Sequence, residues 1–561
     1  MTSLGSSPGK HGKWREAFEE AAADAYPGGA MVGNMCFSPR ALGRNPSPFE
    51  NVPAEEAAPA AEQLLPEVPG AAPQDPGLTW ATYGRELASI AVLAVPLSLS
   101  NLMSLLISLI AVGFVGRLGA FELSVVVSST SVFNVTGLSV LTGFASAMET
   151  LTGQAYGARQ YRLVGVVLQR ALILTSLLTA LLALLWTGSA RLLVLLGQDP
   201  LISRSARYYL LASIGALWGQ GVFENLKRYL LAQGVAAPVT AATVLGLVVA
   251  PLFNWLFIYG LDLRLLGAAL AMDAVMLTMV AALGGYIILR DRRLRGQPQA
   301  TWGGWSRDAL RGWGEYLRYG LPSVFMICCE WWTFEAVILM SGVLPDPSTA
   351  LSTMGIAVDT SGAQFMLISG IGMALSSRVG NALGAGRPRA ASRSALAAIS
   401  LTAATELALA LLVALTRARW AEIFTNVPEV VARTADLLLL VVATFPGDGT
   451  NCTFQGLLRG SGHQEVGAVT NIASYWGVGI PTAFALGIKR GLGLRGLWWG
   501  LVIVNTLQGL VMTVIAWRLD MRKAAQRVAE KFASRHSTDS LRAALLAEEA
   551  AVSGTGDAPA N

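Results

Sequence analysis

GQAYGARQYR, residues 153–162, and GNALGAGRPR, residues 380–389, are two versions of one pattern, Gly-polar-Ala-x-Gly-Ala followed by arginines. They lie about 227 residues apart, and the same offset places Leu230 and Leu231 on Leu457 and Leu458. Pro96 and Pro322, and Pro251 and Pro481, agree at offsets of about 226 and 230. Landmarks in register along the chain mark a duplication, and the duplicated unit decides the fold.

Composition says what is duplicated. The 561 residues are 53% hydrophobic and 14% charged, against roughly a quarter charged in soluble domains. Apolar runs of about 20 residues, bounded by charge or by Gly and Pro, recur some twelve times between Leu87 and Trp517. Backbone polar groups in lipid must be satisfied within the segment, so these runs are helices. The sequence predicts an all-α polytopic membrane protein, twelve transmembrane helices in two pseudo-symmetric six-helix lobes. Each copy holds an even number of spans, so both enter the membrane from the same side. A pseudo-twofold axis along the membrane normal relates them, with a cavity between, as in secondary transporters.

The expected organisation is a disordered tail over 1–84, a first lobe with helices 1–6 over 85–289, an amphipathic linker over 290–316, a second lobe with helices 7–12 over 317–517, and a C-terminal tail over 518–561. The first tail is rich in Ala, Pro and Gly and cannot bury enough apolar surface to fold. Its Glu16, Glu19, Glu20 and Asp24 argue against an acid-poor targeting peptide. Trp302, Trp305 and Trp313 among arginines read as an interfacial anchor. MRKAAQRVAEKFASRH, residues 521–536, is basic and helix-prone, suited to an anionic lipid surface. Arg159, Arg162, Lys227, Arg228, Arg290, Arg292, Arg293, Arg295, Arg378, Arg387 and Arg389 fall on one side, with Lys489 and Arg490 as the exception. The excess of Lys and Arg makes that side, and both termini and the linker, cytoplasmic.

Several function classes lose support. Cys36, Cys328, Cys329 and Cys452 have neither metal-ligand spacing nor the pattern of a disulfide framework. An intramembrane enzyme needs a nucleophile or metal constellation; there is no GxSxG or HExxH, and only His11, His463 and His536. A GxxxxGK[ST] loop for ATP is also missing. No cofactor, metal or nucleic acid is expected.

The informative residues are acids inside the spans, because an ionisable group there is expensive and functional by default. CCEWWTFEAV, residues 328–337, carries Glu330 and Glu335, and Asp359 and Asp448 lie on the eighth and tenth spans. The corresponding positions of the first half hold no carboxylate, so these four were added to one lobe of a shared scaffold. At about 1.5 Å per residue, Glu335, Asp359 and Asp448 sit roughly 13 to 20 Å deep, and Glu330 about 7 Å further in, all near the midplane. Five residues at about 100° leave Glu330 and Glu335 some 140° apart, so one is expected to face the cavity and the other a neighbouring helix. Asp448 sits in FPGDGTN, where Pro446, Gly447 and Gly449 are expected to interrupt the helix. Trp331 and Trp332 offer cation–π faces or packing, and at 100° apart only one is expected to line the cavity. Glu224 reads as a local ion pair with Lys227 and Arg228. Glu149 reads either as a partner of Arg170 or as a functional group, and Asp273 and Glu406 have no partner in the sequence.

At these residues the chain resembles the eukaryotic multidrug and toxic compound extrusion (MATE) family, over roughly Leu87 to Trp517. The resemblance rests on NVTGLSV (134–140), ETLTGQAYGA (149–158), ATWGGWS (300–306), CEWWTFE (329–335), RVGNALGAG (378–386) and LLRGSGHQEVGA (457–468). It implies exchange of organic cations or secondary metabolites for protons, with transport glutamates at Glu330 and Glu335. It also implies acidic sites at Asp359 and Asp448, where animal members have Glu, and a polar cavity contact at Asn101. Asp273 and Glu406 have no counterpart in that pattern.

The reading is a proton-coupled antiporter working by alternating access, a monomer in the plasma membrane or vacuolar membrane. A carboxylate in a low-dielectric site favours its protonated form, so protons and a cation compete for one negative charge. The expected proton and substrate site is Glu330, Glu335, Asp359 and Asp448, with Asn101, Trp331, Trp332 and Asp273 as further cavity contacts. A sodium-coupled antiporter or a lipid-linked oligosaccharide flippase is the alternative; a flippase needs a basic cavity for phosphate, and these midplane charges are acidic.

Overall fold

The structure, a computed structural model, describes residues 79–195 and 197–534. The first lobe comprises α1 (Trp80–Gly116), α2 (Ala120–Gly157), α3 (Tyr161–Trp186), α4 (Ile214–Ala232), α5 (Ala237–Gly260) and α6 (Arg264–Leu294). The second comprises α7 (Trp313–Ser341), α8 (Pro347–Gly384), α9 (Pro388–Glu422), α10 (Pro428–Ser461), α11 (residues 464–489) and α12 (Gly493–Arg518). Among the described residues nine helices are long and apolar enough to cross a membrane. The three that fall short are α4, which carries Glu224, Lys227 and Arg228, α8, which is rich in Ser, Thr and Gly, and α11, which is broken into short α and π segments. Polar residues are tolerated on α4 and α8 because much of each is buried in protein.

The duplicated glycine motif forms the seam between the lobes. Gly153 of α2 and Gly380 of α8 meet backbone to backbone, and a Cβ on either would lie 3.4 or 3.2 Å from the other's Cα. One turn on, Gly157 lies against the Asn381 carbonyl, and its equivalent Gly384 lies against the Gln154 carbonyl. Gln154 and Asn381 are themselves equivalent, so the contact is reciprocal, as a twofold axis requires.

Side-chain bonds repeat the reciprocity. Thr150 donates to the Arg459 carbonyl at 2.5 Å and Gln154 to Gly460 at 3.3 Å, both at the end of α10. Their equivalents Ser377 and Asn381 donate to Leu231 at 2.8 Å and Ala232 at 3.0 Å, at the end of α4. The last carbonyls of a helix have no partner within it, so each lobe satisfies the other's helix ends. Across the same seam Glu149 bridges Arg228 at 3.1 Å and Arg459 at 3.0 Å, and Arg378 meets Glu86 at 2.9 Å. On the opposite face the ion pairs Arg264–Glu122, Arg433–Asp346 and Arg495–Asp436 each stay within one lobe.

Several expectations change. The first helix begins at Trp80, after a capping box between Thr79 and Thr82. The linker shortens to residues 295–312, because α6 runs to Leu294 and α7 starts at Trp313. It holds turns after Leu294 and at Arg307–Leu310 and is pinned to α3, where Gln169 donates to Gly304 at 2.7 Å and accepts from Ser306 at 2.9 Å. Arg170 bonds the Asp308 carbonyl at 3.0 Å, so the proposed Glu149–Arg170 pair is replaced by the seam network. α10 runs unbroken through Pro446; Gly447 and Gly449 instead allow close approach of α12 at Asn505 and of Glu406 on α9. Residues 521–534 are helical as expected, with Met521, Ala524, Val528 and Phe532 buried against protein and Arg522, Lys523 and Arg527 exposed. Lys531 of that helix pairs with Glu315 at 2.9 Å.

Candidate transport cavity

A cavity lies between α2, α7, α8 and α10. Its α7 wall is Glu330, Trp331, Trp332, Phe334, Glu335 and Ile338, faced by Asn134 and Val135 of α2, Phe365 and Met366 of α8, and Asp448 of α10. Glu330 and Glu335 diverge as expected, Glu330 turning to Asn451 and Gln455 of α10 and Glu335 to Ser131 of α2. Yet both border the cavity, and Trp331 and Trp332 both reach it against expectation. At 100° steps these six residues span some 200° of α7, so the cavity wraps more than half the helix.

α2 reaches this wall through a π-helical turn at Phe133–Leu138. Such turns leave a carbonyl open to outside donors and gather at functional sites. Here Trp332 Nε1 donates to the Val135 carbonyl at 3.0 Å, fixing the indole across the lobes.

Glu330 is buried and its Oε2 accepts from Gln455 at 2.8 Å and from Asn451 at 3.4 Å. Asn451 also donates to the Tyr475 hydroxyl at 3.2 Å, which donates to Asn505 at 2.9 Å. The network behind Glu330 is thus made of amides and a phenol and contains no cation. Asp448 is also buried, and Glu335 is half-buried with Ser131 as its hydrogen-bond partner. None of Glu330, Glu335 and Asp448 forms an ion pair among the described residues. Arg459, the charge felt by Glu330, is held by Glu149.

The structure brings Glu330, Glu335, Asp448, Trp331 and Trp332 to one cavity and leaves three other candidates out of its lining. Asp359 is exposed on α8, just past the arc of Val358, Ser361 and Gly362 that lines the wall. Asn101 ties α1 to α8, donating to Ser369 at 2.9 Å and accepting from Lys227 at 3.4 Å. Asp273 accepts the Ala216 N–H at 2.5 Å, in the first turn of α4, where a helix has unpaired donors. Glu224 pairs with Lys227 at 2.6 Å and with Arg228, as the spacing suggested. Sequence reasoning missed Asn451, Gln455 and Gln364, since uncharged amides inside spans stand out little. The i, i+4 spacing of Asn451 and Gln455, one turn beyond Asp448, was the available signal.

The MatE family model matches residues 96–256 and 322–485, one stretch in each lobe. The chain belongs to that family. Protein DETOXIFICATION 1 of Arabidopsis thaliana is 34% identical over 459 residues, covering 82% of this chain and 95% of its own length. Multidrug and toxin extrusion protein 1 of Homo sapiens is 35% identical over 450 residues, 80% of this chain and 78% of its own. The crystal structure of the eukaryotic MATE transporter AtDTX14 superposes with a TM-score of 0.76 at 31% identity, covering 80% of this chain and 99% of its own. This MATE protein is therefore a drug and toxin extrusion transporter of the twelve-helix fold, integral to a membrane, and not an enzyme.

Proposed function

We propose that this transporter is a proton-coupled antiporter that exports organic cations, xenobiotics or secondary metabolites by alternating access. The observation that carries the reading is a cavity whose charged lining groups among the described residues, Glu330, Glu335 and Asp448, are all acids without an ion-pair partner there. A buried carboxylate without an ion-pair partner is stabilised by taking a proton or a cation. With its proton lost, the site binds a cation against the faces of Trp331 and Trp332; reprotonation releases it. Competition for the same negative charge couples the two fluxes. Asp359, at the edge of the lining arc, is assigned to cation entry. The cavity has no basic lining group to hold the phosphates of a lipid-linked sugar.

We assign the seam face to the cytoplasm, where the loop arginines concentrate, and the cavity to the opposite side. In that orientation both termini are cytoplasmic, and the lobes are closed inside. The test is counter-transport in vesicles carrying the reconstituted protein, with tetraethylammonium as probe and either a pH or a sodium gradient as drive. Glu330→Gln should lower pH-driven exchange about tenfold or more. Normal exchange by that variant, or drive by sodium alone, overturns the reading.

A further inference from the structure

Glu406 lies at the middle of α9, buried, and belongs to no wall of the cavity. Its Oε1 accepts from Gln364 Nε2 of α8 at 2.5 Å and packs on Gly449, next to Asp448 on α10. Asp448, the residue before Gly449, is the other carboxylate whose charge acts on Glu406. Glu406 Oε2 and Gln364 Oε1 are buried with no hydrogen-bond partner.

The charges around it are few. From α10 the groups are Asp448 and Cys452. From α8 there is Gln364, while Asp359, five residues earlier, is turned about 140° away. The charged groups of α1, Arg85 and Glu86, belong to the seam end, where Glu86 takes Arg378 and Ser394, the latter roughly 18 Å along α9 from Glu406. Among the described residues no lysine or arginine pairs with Glu406. At the 227-residue offset its counterpart is Thr179, whose hydroxyl is satisfied by the Thr175 carbonyl at 2.8 Å, so the first lobe has nothing similar.

Two buried neighbouring carboxylates that lack a cation cannot both carry charge. The unpaired Glu406 Oε2 and Gln364 Oε1 are the atoms a proton on Glu406 would serve. We propose that Glu406 and Asp448 share one proton, which makes Glu406 a second proton-holding residue behind the cavity wall. With a cation against Asp448 the O–H bond is on Glu406 and the pair carries one negative charge; when the cation leaves, Asp448 takes a second proton and the pair is neutral. This deepens the proton reading above and is tested without transport.

The experiment is infrared difference spectroscopy of the full chain in lipid nanodiscs, stepping pH in sodium-free buffer and reading carboxylic-acid C=O bands. Glu406→Gln, nearly isosteric against Gly449, should lose one band and turn the two-step titration of the pair into a single step. Asp448→Asn should keep the Glu406 band, also with a single step, and it supplies the measurement if Glu406→Gln does not elute as a folded species. A Glu406→Gln spectrum that superposes on the unmodified protein overturns the proposal. So does a wild-type band that disappears when sodium is added at constant pH, since the pair would then hold a metal cation. Failure of Glu330→Gln to impair exchange would leave these bands untouched, so the two readings fail separately.

Discussion

Asp273 performs for α4 the task of a capping residue from a neighbouring helix, accepting the Ala216 N–H where the helix dipole is positive. Asp273→Ala should therefore cost about 1 kcal/mol of stability. A thermal unfolding series in nanodiscs would record it, with exchange rate held within about twofold. Lost exchange with unchanged stability would return Asp273 to the transport path. Glu406 reads the same way in the sequence, a lone acid in an apolar run. What separates the two is the partner: a backbone donor for Asp273, the side-chain amide of Gln364 for Glu406. Spacing along one chain does not report which helix lies opposite, so the acids could be found but not sorted. The glutamates of α7 show the same limit. Helical period gave their angle, and the width of the cavity around α7 was invisible.

At the level of elements, the cross-lobe caps are bonds made only while the seam is closed. Thr150→Val with Ser377→Ala removes one at each helix end, worth roughly 0.5–1.5 kcal/mol apiece. The population with an open seam should rise about tenfold, seen as faster thiol labelling of a cysteine placed at Gln233, which is buried there. Unchanged labelling would show that the caps stabilise both states alike. The helix at 521–534 adds a second control on the same face. His463, in the loop after α10, lies 3.3 Å from Arg527 of that helix, and burial, then the Arg527 charge, hold its imidazole below the usual range. A depressed value means that docking is favoured above the ordinary imidazole value, about 6.5, and weakens as pH falls from there toward the lower folded value. Proteolysis after Arg527 should speed up on acidification, and His463→Asn should abolish that dependence. The twelve helices and their duplication were legible because apolar length and the repeated glycine motif are strong signals. The continuity of α10 was not: Pro446 reads as a breaker, and only packing against α9 and α12 explains the Gly residues beside it.

The whole molecule moves, in the proposed cycle, by opening the seam that the glycine motif closes. Gly157 and Gly384 occupy equivalent places, each against a carbonyl of the other lobe, so a side chain at either meets backbone that cannot yield. Gly157→Leu and Gly384→Leu should both wedge the seam apart, at a cost to the closed state of about 1–3 kcal/mol. If the lobes rock as rigid bodies about the twofold, the two substitutions act on one equilibrium. They should raise labelling at Gln233 by similar factors, roughly five- to a hundredfold, and lower pH-driven exchange together. Local damage predicts otherwise, because Gly157 ends a helix of the first lobe and Gly384 one of the second, and their surroundings differ in sequence. Strong labelling from one variant with none from the other would mean that the seam opens by bending one helix, not by rotation of the lobes. The double variant separates the two mechanisms further. Both glycines lie in one closing surface, so once the first leucine has opened it the second should add less than its own single effect.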